Sequence, residues 1–190
     1  GAVVTGTRAA FSWSGAAAGA RYRWQLARTP GFAGAATLER VIAGKSDVTI
    51  DGVQPGRYVW RVAVIGARGE TGEWSAPQSY TQEPAPPRLA PPEVARHLIR
   101  LRWSGAAAAR YQVQLARDPG FARPLVDQEV DSSQLSLRRP RAGTYYARVR
   151  VIGNGGISGP YGAPLRFEVP IPLWVRIVLP LAAVAAALSL

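Results

Sequence analysis

Arg21-Tyr22-Arg23-Trp24-Gln25-Leu26-Ala27-Arg28-Thr29-Pro30-Gly31-Phe32 returns 89 residues later as Arg110-Tyr111-Gln112-Val113-Gln114-Leu115-Ala116-Arg117-Asp118-Pro119-Gly120-Phe121. In the first copy Tyr22, Trp24 and Leu26 fall on one face and Arg21, Arg23 and Gln25 on the other. In the second, Tyr111, Val113 and Leu115 oppose Arg110, Gln112 and Gln114. A period of two is that of a half-buried β-strand. Each strand runs into Pro-Gly, with proline at the second turn position and glycine at the third, which predicts a type II turn.

The repeat extends in both directions. Upstream, Trp13-Ser14-Gly15-Ala16-Ala17-Ala18 is answered by Trp103-Ser104-Gly105-Ala106-Ala107-Ala108. Downstream, Gly56-Arg57-Tyr58-Val59-Trp60-Arg61-Val62 with Val64-Ile65-Gly66 is answered by Gly143-Thr144-Tyr145-Tyr146-Ala147-Arg148-Val149 with Val151-Ile152-Gly153. A unit of about 80–90 residues exceeds a solenoid repeat and suits a small β-sandwich. The downstream strand places Tyr58, Trp60, Val62 and Val64 inward against Val59, Arg61 and Ala63; its counterpart places Tyr145, Ala147, Val149 and Val151 inward against Tyr146, Arg148 and Arg150. Trp60 opposite Ala147 predicts two differently packed cores.

No stretch before residue 170 keeps a helical period, so the fold class is all-β: two tandem antiparallel β-sandwich modules. The expected boundaries are residues 1–82 for the first module, 83–92 for a linker and 93–169 for the second. Five prolines in Glu83-Pro84-Ala85-Pro86-Pro87-Arg88-Leu89-Ala90-Pro91-Pro92 favour an extended spacer, whose end, around Leu89 to Val94, becomes the first edge strand of the second module. Residues 170–190 form a hydrophobic tail, expected to be helical.

The formal net charge is +11, with one lysine, Lys45, among 23 basic residues, and there is no cysteine. Each module therefore depends on its own apolar core. Arginine excess in an alanine-rich chain fits a GC-rich bacterial genome; it also fits an anionic partner, whether a glycan, a lipid surface or an acidic protein. Nucleic acid fits poorly, because the charge lies along strands without a recognition helix or zinc motif. The chain starts at Gly1 and has no methionine, which predicts a removed upstream segment.

No constellation points to chemistry. The single histidine, His97, has only Glu93 within four residues and reads as a surface or edge-strand residue; Asp127, Glu129 and Asp131 alternate as a solvated edge would. There is no phosphate loop, no nucleophile with its base and no zinc spacing, so no catalytic residue, cofactor or metal is assigned. The candidate binding face comprises Arg21, Arg23 and Arg61 in the first copy and Arg110, Arg148 and Arg150 in the second. Trp74 and Tyr161, at the start of each last strand, are placed to stack on those arginines.

The tail, Pro170 to Leu190, is almost wholly apolar and close to a membrane span in length. Trp174 and Arg176 suit the head-group level, and Ile177 to Leu190 would enter the bilayer as a membrane anchor. A helix packed on a partner subunit and a disordered end are the competing readings.

The pattern resembles fibronectin type III (immunoglobulin-like) modules: Trp13 and Trp103 of the second strand, Tyr22 to Leu26 and Tyr111 to Leu115 of the third, and Pro55-Gly56-Arg57-Tyr58 or Ala142-Gly143-Thr144-Tyr145 leading into Arg-Val. The resemblance implies tyrosine corners at Tyr58 and Tyr145. More narrowly, Tyr-x-x-Gln-Leu-Ala-Arg-x-Pro-Gly-Phe-Ala followed by Gly-x-Tyr-x-x-Arg-Val-x-Val-Ile-Gly resembles the C-terminal tandem repeats of bacterial FecR-domain envelope proteins. That implies a non-catalytic cell-envelope protein, periplasmic or extracellular, acting as a membrane-tethered spacer and interaction platform, or within a larger sensory assembly. A glycan-binding accessory module is the alternative. Nothing in the residues fixes an oligomeric state.

Overall fold

The computed structural model describes residues 1–15, 19–32, 38–105, 110–153 and 156–171. Trp174, Arg176, Ile177 and Leu190 lie outside these residues, as does the expected tail helix. Among the described residues no helix is long and apolar enough to cross a membrane. The chain divides into two compact units, Gly1–Ala85 with Ile152–Pro160, and Pro86–Val151 with the chain from Tyr161 onward.

The first unit contains β1 (Ala2–Thr5), β2 (Ala9–Ser12), β3 (Arg21–Ala27), β4 (Leu38–Ala43), β5 (Asp47–Ile50), β6 (Gly56–Ile65), β7 (Thr71–Trp74) and β8 (Gln78–Glu83). One sheet runs β1-β8-β6-β3-β4 with β7 beside β6; β2 and β5 pair to form the other. The second unit contains β9 (Arg88–Leu89), β10 (Glu93–Val94), β11 (Leu98–Ser104), β12 (Arg110–Ala116), β13 (Val126–Val130), β14 (Gln134–Arg138), β15 (Gly143–Ile152) and β16 (Leu165–Val169). Its sheets run β13-β12-β15-β16 and β10-β11-β14, with β9 also on β11. The expected edge strand at Leu89 to Val94 is therefore present, cut into two short pieces by Pro91 and Pro92, which have no N–H for a ladder.

The modules treat their first strand differently. β9 and β10 pair antiparallel with β11, whereas β1 runs parallel to β8, from Ala2 opposite Tyr80 to Thr5 opposite Glu83. This exchange has a polar lock: the fully buried Gln82 donates its Nε2 to the Gly6 carbonyl at 2.7 Å, and Gly6 takes φ +110° to present it. Opposite Gly143 in the second module stands Val169, where Gln82 stands opposite Gly56.

Alternation delivers the cores. Tyr22, Trp24 and Leu26 are buried, as are Tyr111, Val113 and Leu115. The first core is aromatic, with Phe11 against Trp24 (5.0 Å), Tyr80 (5.1 Å) and Trp60 (5.5 Å). The second is more aliphatic, with Ile99, Leu101, Val113, Ala147 and Val149 packed beside the buried rings of Trp103, Tyr111 and Tyr145. Val113 and Ala147 occupy the positions that Trp24 and Trp60 fill in the first copy, so the two cores are packed from different side chains.

Two expectations fail. Val64 pairs with the buried Tyr22 but lies at the end of the sheet and is 44% exposed, whereas Ala63 and Ile65 of the opposite face are buried where β7 covers them through a register shift. The Pro-Gly turns are not type II, because positive φ falls on Phe32 (48°) and Phe121 (54°) and not on Gly31 or Gly120. The turn closes through the Phe32 N–H to the Thr29 carbonyl, and the Phe121 N–H to the Asp118 carbonyl. A left-handed phenylalanine is costly, at about 1–3 kcal/mol. Both rings are nevertheless buried, at 7% and 6% exposure, and what they cover explains the arrangement.

Candidate functional site

β3 and β6 pair antiparallel with Gln25 opposite Arg61 and Arg23 opposite Ala63. Arg61 donates its Nε to Gln25 Oε1 at 2.9 Å, and Gln25 passes its Nε2 to Glu39 Oε2 on β4 at 2.7 Å. The Arg61 guanidinium lies between two rings, 4.1 Å from Phe32 and 4.2 Å from Trp74. The left-handed turn throws Phe32 back over β6, and β7 supplies Trp74 from the other side.

The second module repeats the assembly. Arg148 donates its Nε to Gln114 Oε1 at 2.8 Å and sits 4.1 Å from both Phe121 and Tyr161. It adds a second rung, in which Arg150 donates its Nε to Gln112 Oε1 at 2.7 Å and lies 4.8 Å from Tyr161. Gln112 and Gln114 both donate to Asp127, at 2.7 and 2.8 Å. Asp127, exposed on the edge strand β13 as its alternation predicts, is also the hub of a cross-strand network. Burial pushes the Tyr161 hydroxyl above the usual tyrosine range.

Each stacked guanidinium spends one of its five N–H donors inside the protein. Arg61, Arg148 and Arg150 make no further hydrogen bond among the described residues, so their Nη edges remain for a partner. A guanidinium held flat between rings has lost most of its rotamer freedom before binding, and its fork matches a carboxylate bidentately.

Not every expected residue joins. Arg21 is paired opposite Ile65, two positions along the same face from the Arg23–Ala63 pair, and stands exposed away from the stack. Arg23 faces Glu39 at 3.6 Å, and Arg110 faces Glu129 at 3.4 Å. Phe32 and Phe121 were missed as stacking partners because Pro-Gly reads as a glycine-centred turn. Their presence at the same step of both copies was the available signal.

A second repeated feature fixes the base of β6 and β15. Tyr58 donates its hydroxyl to the Gln54 carbonyl at 2.8 Å and Tyr145 to the Arg141 carbonyl at 2.7 Å, the expected tyrosine corners. Arg28 and Arg117 each donate an Nη2 to that hydroxyl at 3.0 Å. Tyr145→Phe removes a donor and an acceptor at once and is expected to lower stability by about 1–2 kcal/mol, read from the urea midpoint at unchanged slope. An unchanged midpoint would show the corner to be without net effect. Among the described residues no three His, Asp or Glu side chains gather as a metal site would need.

No protein-family model matches the chain, and no curated protein sequence matches it. Among solved structures, a two-domain fibronectin type III segment from chicken tenascin superposes with a TM-score of 0.65 at 13% identity, covering 87% of this chain and 94% of that one. Domains FN1–FN3 of chicken CNTN1 match over 89% of this chain and 65% of that one, at 13% identity and a TM-score of 0.34. The fold is that of tandem fibronectin type III domains.

Proposed function

We propose that this chain is a non-catalytic spacer and interaction platform of the bacterial cell envelope, held to the membrane by its apolar tail and engaging an acidic protein partner through its stacked arginines. The observation that carries the reading is the Phe–Arg–aromatic stack, built at the same place in both modules although their cores differ. The Nη edges of Arg61, Arg148 and Arg150, without a protein partner among the described residues, are what a partner's carboxylates would meet. The length and composition of residues 170–190 support a membrane anchor. The motif resemblance to repeats of FecR-domain envelope proteins supports the compartment and a role within a larger assembly.

Protein carboxylates fit these faces better than sugar rings. A sugar stacks on an open aromatic face, whereas Trp74 and Tyr161 stand one per module and each carries a guanidinium over its ring. The test is titration of the full chain with a glutamate-rich peptide at low and high salt. The expected result is salt-sensitive binding that falls at least about tenfold in the Arg61→Gln/Arg148→Gln/Arg150→Gln variant, since charge-assisted bonds contribute about 1.5–3 kcal/mol each. Equal binding by wild type and a folded variant would remove these faces from the reading.

A further inference from the structure

The bend after β14 and the turn before β11 close round an open cleft of about 440 Å³ at one end of the second module. Arg96, Arg138, Arg139 and Arg141 line it together with His97, and among the described residues no carboxylate does. Arg139 is the structural member: its backbone N–H bonds the His97 carbonyl, its Nη1 bonds the Ala95 carbonyl at 3.1 Å, and its Nη2 bonds the Pro170 carbonyl. The Tyr145 corner ties down Arg141 through its backbone carbonyl. The guanidinium groups of Arg96, Arg138 and Arg141 make no hydrogen bond or ion pair among the described residues. Three uncompensated cations are thus held on an anchored frame.

Neither the fold nor the repeat requires this. The corresponding bend of the first module, Asp51-Gly52-Val53-Gln54, has no arginine and carries an acid, Asp51, neutralised by Arg8 at 2.7 Å. A uniform arginine excess would have marked both ends alike. The basic end belongs to the module that continues into the apolar tail, and Arg139 grips the carbonyl of Pro170, where that tail begins.

We propose that the Arg96–Arg138–Arg141 cleft binds the phosphodiester head groups of an anionic bilayer, seating the base of the second module on the membrane its tail enters. This rests on the membrane tether proposed above for the source of the phosphate. Arginine forks match phosphate oxygens bidentately, and basic residues beside a membrane segment are attracted to anionic lipid.

The experiment measures partitioning of the full chain onto vesicles of phosphatidylcholine alone and of phosphatidylcholine mixed with phosphatidylglycerol, with inorganic phosphate as the soluble probe. The wild type is expected to prefer the anionic vesicles. Arg96→Gln/Arg138→Gln/Arg141→Gln should lose about 100-fold in anionic partitioning and nothing on neutral vesicles, at roughly 1 kcal/mol per arginine. A control of equal charge on three exposed arginines of the first module, Arg21→Gln/Arg57→Gln/Arg68→Gln, should lose far less. Equal losses in both variants, or no anionic preference, would overturn the cleft while leaving a tether that still binds neutral vesicles. Anionic binding that depends on the three arginines, with no neutral binding at all, would keep the cleft and remove the tether. Binding of inorganic phosphate without anionic vesicle preference would make the ligand a soluble anion and refute the lipid assignment.

Discussion

Trp24→Ala is expected to unfold the first module and leave the second folded. Trp24 is fully buried and packs at 5.0 Å on Phe11, which in turn holds Trp60 and Tyr80. Truncating a buried tryptophan costs about 3–5 kcal/mol, most of what a small domain has to lose. No cysteine is present to cross-link what remains. The second module has its own buried cluster from Ile99 to Val169 and uses Val113 at the equivalent position. Hydrogen exchange separates the outcomes: amides of β3 and β6 should lose protection while those of β12 and β15 keep it. Simultaneous loss in both would show one cooperative unit, contrary to two self-sufficient cores.

The second large effect is at the stack. Arg148→Ala removes a guanidinium from between two rings and strips Gln114 Oε1, in a side chain only 8% exposed, of its donor. Two cation–π contacts and one buried unpaired acceptor sum to about 2–4 kcal/mol. Arg150→Ala, which loses one ring contact at 4.8 Å and a bond to the less buried Gln112, should cost less, about 1–2 kcal/mol. Arg148→Lys should rescue little, since a lysine neither stacks flat nor donates from an Nε fork. Denaturant midpoints rank the three, and an Arg148→Ala loss no larger than that of Arg150→Ala would mean that the sandwich contributes nothing.

Much of this architecture was legible because the repeat doubles every signal. Alternation at Tyr22–Leu26 and Tyr111–Leu115 identified the buried faces, and aromatic residues placed next to arginine strands pointed to Trp74 and Tyr161. What escaped reading depends on relations between strands. Arg21 falls outside the stack because register sets Arg61 opposite Gln25, and one strand's sequence carries no information on its partner's offset. Burial of Ala63 and Ile65 over Val64 follows from β7, a short element whose bulged pairing leaves no alternating trace. The left-handed Phe32 and Phe121 run against local preference, and such violations concentrate where tertiary contacts over-determine a residue. The parallel β1–β8 pairing was equally hidden, since Ala2-Val3-Val4-Thr5 satisfies either sheet edge.

The measurement that bears most directly on the account is the side-chain NMR spectrum of the arginines, free and with the glutamate-rich peptide. Arg61 and Arg148, lying between rings, should give ring-shifted Nε–H signals that exchange slowly with water. On adding peptide, the Nη signals of Arg61, Arg148 and Arg150 should move while those of the exposed Arg21 stay in place. If all arginines give averaged, solvent-like signals, or if the peptide shifts Arg21 as much as Arg148, the stacks are not preformed partner sites.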